Sequence, residues 1–223
     1  MNEILIESII RSKRKTIALE ITDKATLVVK APYYVSNKAI QDVIRRHSKW
    51  IEKKISYAKQ LKKAENKEFD SGESFLYLGR AYMLFVVYSQ KEPFKFDNAF
   101  YLREDMQPLA RDIFINWYRN VARKFIFERV NYYSNLAGIK YNKAKITSAQ
   151  KRWGSCSREG SLSFTYRLVM APIFVIDYVV VHELCHIIEH NHSKTFWGHV
   201  KVILPDYKDA RKWLREKGQT LVI

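Results

Sequence analysis

Val175-Ile176-Asp177-Tyr178-Val179-Val180-Val181 runs directly into His182-Glu183-Leu184-Cys185-His186, and that join constrains this chain more than any other stretch. The apolar run describes a helix buried over most of its surface. Two histidines and a glutamate on such a helix are costly to bury unless something satisfies them. Residues four apart on a helix lie nearly over one another, so His182 and His186 aim two imidazoles at one point. Glu183 sits one position round, where it reaches a water at that point without being a ligand. The H-E-x-x-H spacing therefore points to a divalent metal on His182 and His186, with Glu183 as general base. The same five letters occur by chance on solvated helices; the apolar run is what favours the metal.

A catalytic zinc takes three protein ligands and keeps a fourth position for water. His192, six residues past His186, is the expected third ligand. On a continuous helix it would lie about 240° round from His186, so the chain must leave the helix between them. Asn191 is the expected exit, since asparagine tolerates the left-handed conformation that ends helices. The spacing fits H-E-x-x-H-x-x-G-x-x-H, but Glu189 stands at the glycine position, so the turn of that pattern is not supported. His190 and His199 compete for the third place. A stripe of three histidines on one helix face spreads donors poorly around a tetrahedral ion, so both read as surface or supporting residues. Five of the six histidines fall between 182 and 199, and His47 alone lies elsewhere.

At 223 residues the chain is long enough for a substantial core, and 47% hydrophobic and 14% aromatic residues fit a globular protein. Two cysteines, Cys156 and Cys185, make no disulfide framework and suggest a reducing cytoplasm. The first ten residues hold Glu3 and Glu7 and lack the shape of a signal peptide, and no apolar run approaches the ~20 residues that span a bilayer. The net charge is +16, with basic clusters at Arg11-Ser12-Lys13-Arg14-Lys15 and at Arg45, Arg46, Lys49, Lys53 and Lys54. Nucleic acid is the first partner such an excess suggests, and a solvated basic face is the equal alternative. No nucleic-acid-binding signature accompanies it.

Periodicity expects strands over 4–10, 16–21 and 26–31, with a turn at Asp23-Lys24, then one helix from Asn37 to about Lys63 capped by Ser36. Residues 62–72 read as a linker. Strands follow over 74–89, turning at Gly79-Arg80, and a hairpin over 94–102 around Asp97-Asn98. A long helix runs from Pro108 to Leu136 and stops at Gly138, with Leu109, Ile113, Trp117, Val121, Phe125 and Val130 on its buried side. Residues 145–149 form a strand, 152–160 a loop, and 161–169 a strand. Pro172 opens the helix of the motif. Short helices follow to Leu204 and from Asp206 to Lys217. The order is α+β, with a β-rich part over 1–105 that holds one basic helix, and a catalytic part over 106–223, together one compact unit. The strand over 161–169 is the expected edge beside the metal, where an extended peptide could add.

Lys151-Arg152-Trp153-Gly154-Ser155-Cys156-Ser157, Tyr166-Arg167-Leu168, Val179 to His186, Asn191-His192-Ser193 and Phe196-Trp197 together resemble the YgjP-like metallopeptidase family. Leu204-Pro205-Asp206-Tyr207 and Trp213-Leu214 extend the likeness. These are metal-dependent hydrolases distantly related to the SprT/Spartan proteases. The resemblance implies a minimal zincin core, the motif helix packed on a small sheet, with His182, His186 and His192 on Zn²⁺ and Glu183 as catalytic base. The kinship also suggests proteins bound to DNA as targets.

The expected chemistry is zinc-dependent peptide hydrolysis. Three imidazoles lower the pKa of a zinc-bound water toward about 7, and Glu183 takes its proton and passes it to the leaving amine. Tyr166, Arg167, Arg152 and His199 are unranked candidates for stabilising the oxyanion. Trp153, Tyr166, Arg167 and Trp197 are the candidate substrate-binding residues. The second reading is a basic nucleic-acid-binding module with a structural or vestigial zinc site. The third is hydrolysis of a non-peptide amide.

Overall fold

The computed structural model describes residues 4–22, 24–65 and 67–223, with side chains throughout except at 57 and 60–65. The chain divides into two compact units, Met1–Lys67 and Glu68–Ile223.

In the first unit, β1 (Ile6–Ser12) lies parallel to β3 (Leu27–Pro32), and β2 (Ala18–Ile21) pairs antiparallel on the other side of β3. The expected turn at Asp23-Lys24 has Asp23 outside the described residues. Leu27, Val29 and Ala31 on the central strand are fully buried and cluster with Ile40, Ile44 and Ile51. The last three come from α1 (Asn37–Arg46) and α2 (Ser48–Glu65). The Ser36 hydroxyl caps α1 by accepting from the Ala39 N–H. One continuous helix was the expectation; the chain instead breaks at His47, where φ is −106° and ψ is 11°. The His47 N–H is shared between the carbonyls of Val43 and Ile44, a tightening that ends a helix. Ile40, Ile44, Ile51 and Ile55 keep one apolar face across the break, so periodicity carries no sign of it. Of the expected linker, Asn66 lies outside the described residues, and α2 takes in its first four positions.

The second unit begins with a sheet of β4 (Ser74–Tyr77), β5 (Arg80–Val87), β6 (Phe94–Phe96) and β7 (Phe100–Arg103) in the order β4-β5-β7-β6. The β4–β5 turn carries Gly79 at φ +80°, and a Cβ there would lie 2.8 Å from Pro172. This turn also donates to the carbonyls of Val169 and Met170, so it braces the segment leading into the motif helix. Phe75 and Phe100 pack on Phe114 of α3 (Ala110–Ala137), so the expected boundary near residue 105 falls inside this unit.

Helix α3 starts at Ala110, because Pro108 belongs to a 3₁₀ turn over Glu104–Leu109, and ends at Gly138 with φ +65°. Its fully buried stripe is Ala110, Phe114, Tyr118, Ala122, Ile126 and Val130. Val130 is buried as expected, but the rest lies one residue round from the expected stripe: Leu109 is exposed, and Ile113, Trp117, Val121 and Phe125 are half-buried. Both stripes are apolar at the same spacing. The small Ala110 and Ala122 let one of them approach its neighbours more closely.

A second sheet holds β8 (Lys143–Thr147), β9 (Gly154–Cys156) and β10 (Ser161–Thr165) in the order β8-β10-β9. Three expectations are corrected here. The loop over 152–160 contains β9, and the strand from Ser161 ends at Thr165, where Tyr166–Met170 turns into a 3₁₀ helix. More important, β10 is the central strand, paired on both sides, so it has no edge to offer a peptide. Helix α4 (Ile173–Ile188) packs against β9 and α3, followed by α5 (Lys194–Ile203) and α6 (Tyr207–Lys217).

Candidate metal centre

Helix α4 is buried from Val175 through Val181 without interruption. Asp177 lies beyond the first turn of α4. It accepts two hydrogen bonds from the Arg129 guanidinium of α3, at 2.6 and 2.8 Å. This two-pronged pair fixes the rotation of α4 against α3. The helix ends at Ile188, and Glu189 is extended (φ −133°, ψ 107°). The exit is therefore Glu189 in an ordinary extended conformation, not a left-handed Asn191. Ser193 then caps α5 by accepting from the Phe196 N–H, which folds the chain back immediately after His192.

That reversal brings His182, His186 and His192 together. The Nε2 atoms of His186 and His192 lie 3.2 and 3.0 Å from Nε2 of His182. Tetrahedral zinc with Zn–N of about 2.0–2.1 Å sets neighbouring donors about 3.3 Å apart, so this spacing fits such an ion closely. Nδ1 of His186 lies 3.1 Å from the Glu189 carbonyl. Donation there leaves Nε2 with its lone pair free for a metal. His190 and His199 do not join this cluster among the described residues.

Burial sets the electrostatics. The His182 imidazole is pushed down to about 3 by desolvation first, then by His186, His192 and Arg211. His186 is lowered too, chiefly by burial. Both are neutral near pH 7, the state a metal ligand needs. Glu183 is pushed up to about 8 by burial, with Arg152 pulling the other way. Its side chain lies close against β9: a Cβ on Gly154 would sit 2.6 Å from both Cγ and Oε1 of Glu183. Any residue but glycine at 154 would displace it.

Phe196 is fully buried, and its ring centroid lies 4.9, 4.5 and 4.9 Å from those of His182, His186 and His192. Trp197 stacks on His192 at 5.7 Å and on Tyr207 at 5.3 Å, and Arg211 covers its ring at 4.7 Å. Tyr178, one turn before His182, stacks on Tyr207. Gly154, Phe196 and Tyr207 fall in the segments that carry the family resemblance but had no expected role, and Arg211 is outside them. The contacts of Gly154 and Arg211 depend on long-range packing.

Of the four expected substrate-binding residues, Trp197 lies beside the donors. Tyr166 is 2% exposed under the guanidiniums of Arg119 and Arg167, so its ring serves packing. Arg167 covers Tyr166 and donates to the Ser148 carbonyl, and Trp153 lies against Gly218.

The YgjP-like metallopeptidase domain model matches residues 15–217. The chain belongs to the YgjP-like metallopeptidase family. Family membership makes it a metal-dependent hydrolase of metallopeptidase type, with protein or peptide as substrate. No curated protein matches the chain. Among solved structures, the metallopeptidase zymogen of Pyrococcus abyssi abylysin aligns with 42% of this chain and 96% of its own, at 16% identity and a TM-score of 0.39. A likeness at that level constrains nothing further here. No helix among the described residues of this family member is long and apolar enough to cross a membrane.

Proposed function

We propose that this chain is a zinc-dependent peptidase with a minimal zincin core, in which His182, His186 and His192 hold the ion and Glu183 is the general base. The observation that carries the reading is the convergence of three imidazole nitrogens, one of them on the residue next to the buried Glu183. The donors suit zinc, and they number three among the described residues, one short of a closed structural site. When bound, the ion supplies Lewis acidity and lowers the pKa of a coordinated water.

The chain's own residues do the rest. Gly154 leaves room for the Glu183 side chain, which is shielded from bulk water, so its carboxyl can accept a proton and return it near neutral pH. Phe196 keeps the three imidazoles from turning. Trp197, Tyr207 and Arg211 wall one side of the site. The edge strand next to Glu183 is β9, so β9 replaces β10 as the place where an extended peptide would add. Cys156 and Cys185 are both free thiols, which suits the cytoplasm as the compartment of action.

Glu183→Gln tests the reading. The variant is expected to bind zinc as the parent does and to lose about 10²–10⁴-fold in hydrolysis of casein or a quenched fluorescent peptide. Undiminished turnover would remove Glu183 from the mechanism.

A further inference from the structure

The first unit carries a surface that the metal chemistry does not use. The β1–β2 connection holds Lys13, Arg14 and Lys15, and the β3–α1 connection holds Tyr33 and Tyr34. The register of β1 with β3 places Arg11 opposite Ala31 and Ser12 opposite Pro32, so the two connections leave the sheet side by side. The Tyr34 hydroxyl donates to the Lys15 carbonyl at 3.3 Å and ties them together.

The tyrosine turn is held from beneath. The Arg11 guanidinium donates to the carbonyls of Pro32, Tyr33 and Val35 and to the Asn37 side chain. On this fixed turn the two rings face solvent, with Tyr33 66% and Tyr34 78% exposed. Single exposed apolar residues are ordinary on a protein surface. Two adjacent rings, clamped in place and left bare, are not explained by core packing.

The charge around them is of one sign. Residues 11–17 and 31–38 contain Arg11, Lys13, Arg14, Lys15 and Lys38 and no aspartate or glutamate. Lys13, Arg14, Lys15 and Lys38 are in no ion pair among the described residues. Helix α1 begins here, and its first turn has no acidic residue.

We propose that this surface binds single-stranded nucleic acid, with bases stacking on Tyr33 and Tyr34 and phosphates lying along Lys13, Arg14 and Lys15. Exposed rings beside a basic track are what an unpaired strand needs, because every base has a face to stack and every nucleotide carries a charge. A duplex hides its base faces and would use only the charge. A membrane-inserting loop would place aliphatic or indole side chains at its tip, whereas this tip is Lys13-Arg14-Lys15. Binding of this kind is measured without any hydrolysis.

The test is fluorescence anisotropy with a labelled 20-nucleotide oligothymidylate across a salt series, using the full chain. The parent protein should bind it more tightly than a 20-base-pair duplex. Tyr33→Ala/Tyr34→Ala should weaken binding about ten-fold or more with the salt slope retained. Lys13→Ala/Lys15→Ala should flatten the slope of log affinity against log salt by about 1–2. Tyr34→Phe loses the bond to Lys15 but keeps the ring, and should bind as the parent does. Circular dichroism checks that each exposed variant is folded. Equal affinity for duplex and single strand, or full binding by the double tyrosine variant, would overturn the proposal. So would capture by phosphatidylserine vesicles with no oligonucleotide binding.

Discussion

Two ring clusters in the second unit use the same geometry for different ends. Beneath the first sheet, Phe75, Phe94, Phe100, Phe114 and Trp117 meet with centroids 4.2–6.1 Å apart. Around α4, His182, His186, His192, Phe196 and Trp197 meet at 4.5–5.8 Å. The first cluster carries almost no polar atom, and burial of its rings stabilises the fold directly. The second holds ring nitrogens, and partial burial of His182 and His186 carries a desolvation cost that a bound cation would offset. His182 Nδ1 is a buried atom with no hydrogen-bond partner, a sign that this cluster is not organised for stability alone. Similar packing thus builds a core where the rings are hydrocarbon and, in the proposed reading, a metal site where they carry lone pairs.

The sharpest way to break the comparison is to remove one ring from the hydrocarbon cluster. Phe114→Ala, at a fully buried position, should cost about 3–5 kcal/mol in chemical denaturation while the folded fraction binds zinc normally. Loss of zinc affinity by folded protein would show that the two clusters are one.

A smaller effect is expected from Gly154→Ala. The new methyl would meet the Glu183 side chain, which is flexible and must shift, while the imidazoles stay in place. Hydrolysis should fall by up to about 100-fold, as displacement of a reacting group by an ångström does, with zinc affinity retained. An unchanged rate would show that the position of Glu183 is not set by β9.

The smallest effect is a pH dependence that the hydrocarbon cluster cannot produce. In metal-free protein, His182 is held down at about 3, so it contributes stability above 6.5 that is lost on acidification toward 3. Glu183 is held up at about 8 from 4.5, so its contribution is full below 4.5 and is lost as pH rises toward 8. The two slopes oppose each other between 4.5 and 6.5. From pH 6.5 to 8 Glu183 acts alone, and chelated protein should lose about 1–2 kcal/mol. Thermal melts of the parent and of Glu183→Gln measure this. The variant should be flat over that range, and an equal loss in both would place the titration elsewhere.

Local chemistry explains how much was readable in advance. The capped start of α1, the glycine end of α3, the hairpin of β6 and β7, and the break before α6 are decided by side chains within a few residues of each event. Which α3 stripe faces inward was not readable, because two neighbouring stripes are equally apolar. The central place of β10 was not readable either. It depends on β9, three residues inside an expected loop, pairing with it.

By itself the sequence determined that His182 and His186 share a helix face with Glu183 beside them, since four-residue spacing is a property of the helix and needs no partner. It also required the chain to leave that helix before His192. Tertiary structure alone decided that Glu189 is the exit, that Phe196 packs against all three imidazoles, and that Gly154 lies under the Glu183 carboxylate. Those contacts join segments whose separation along the chain carries no periodic signal. Only the packing of α4 on β9 and α3, with the reversal into α5, brings them into reach.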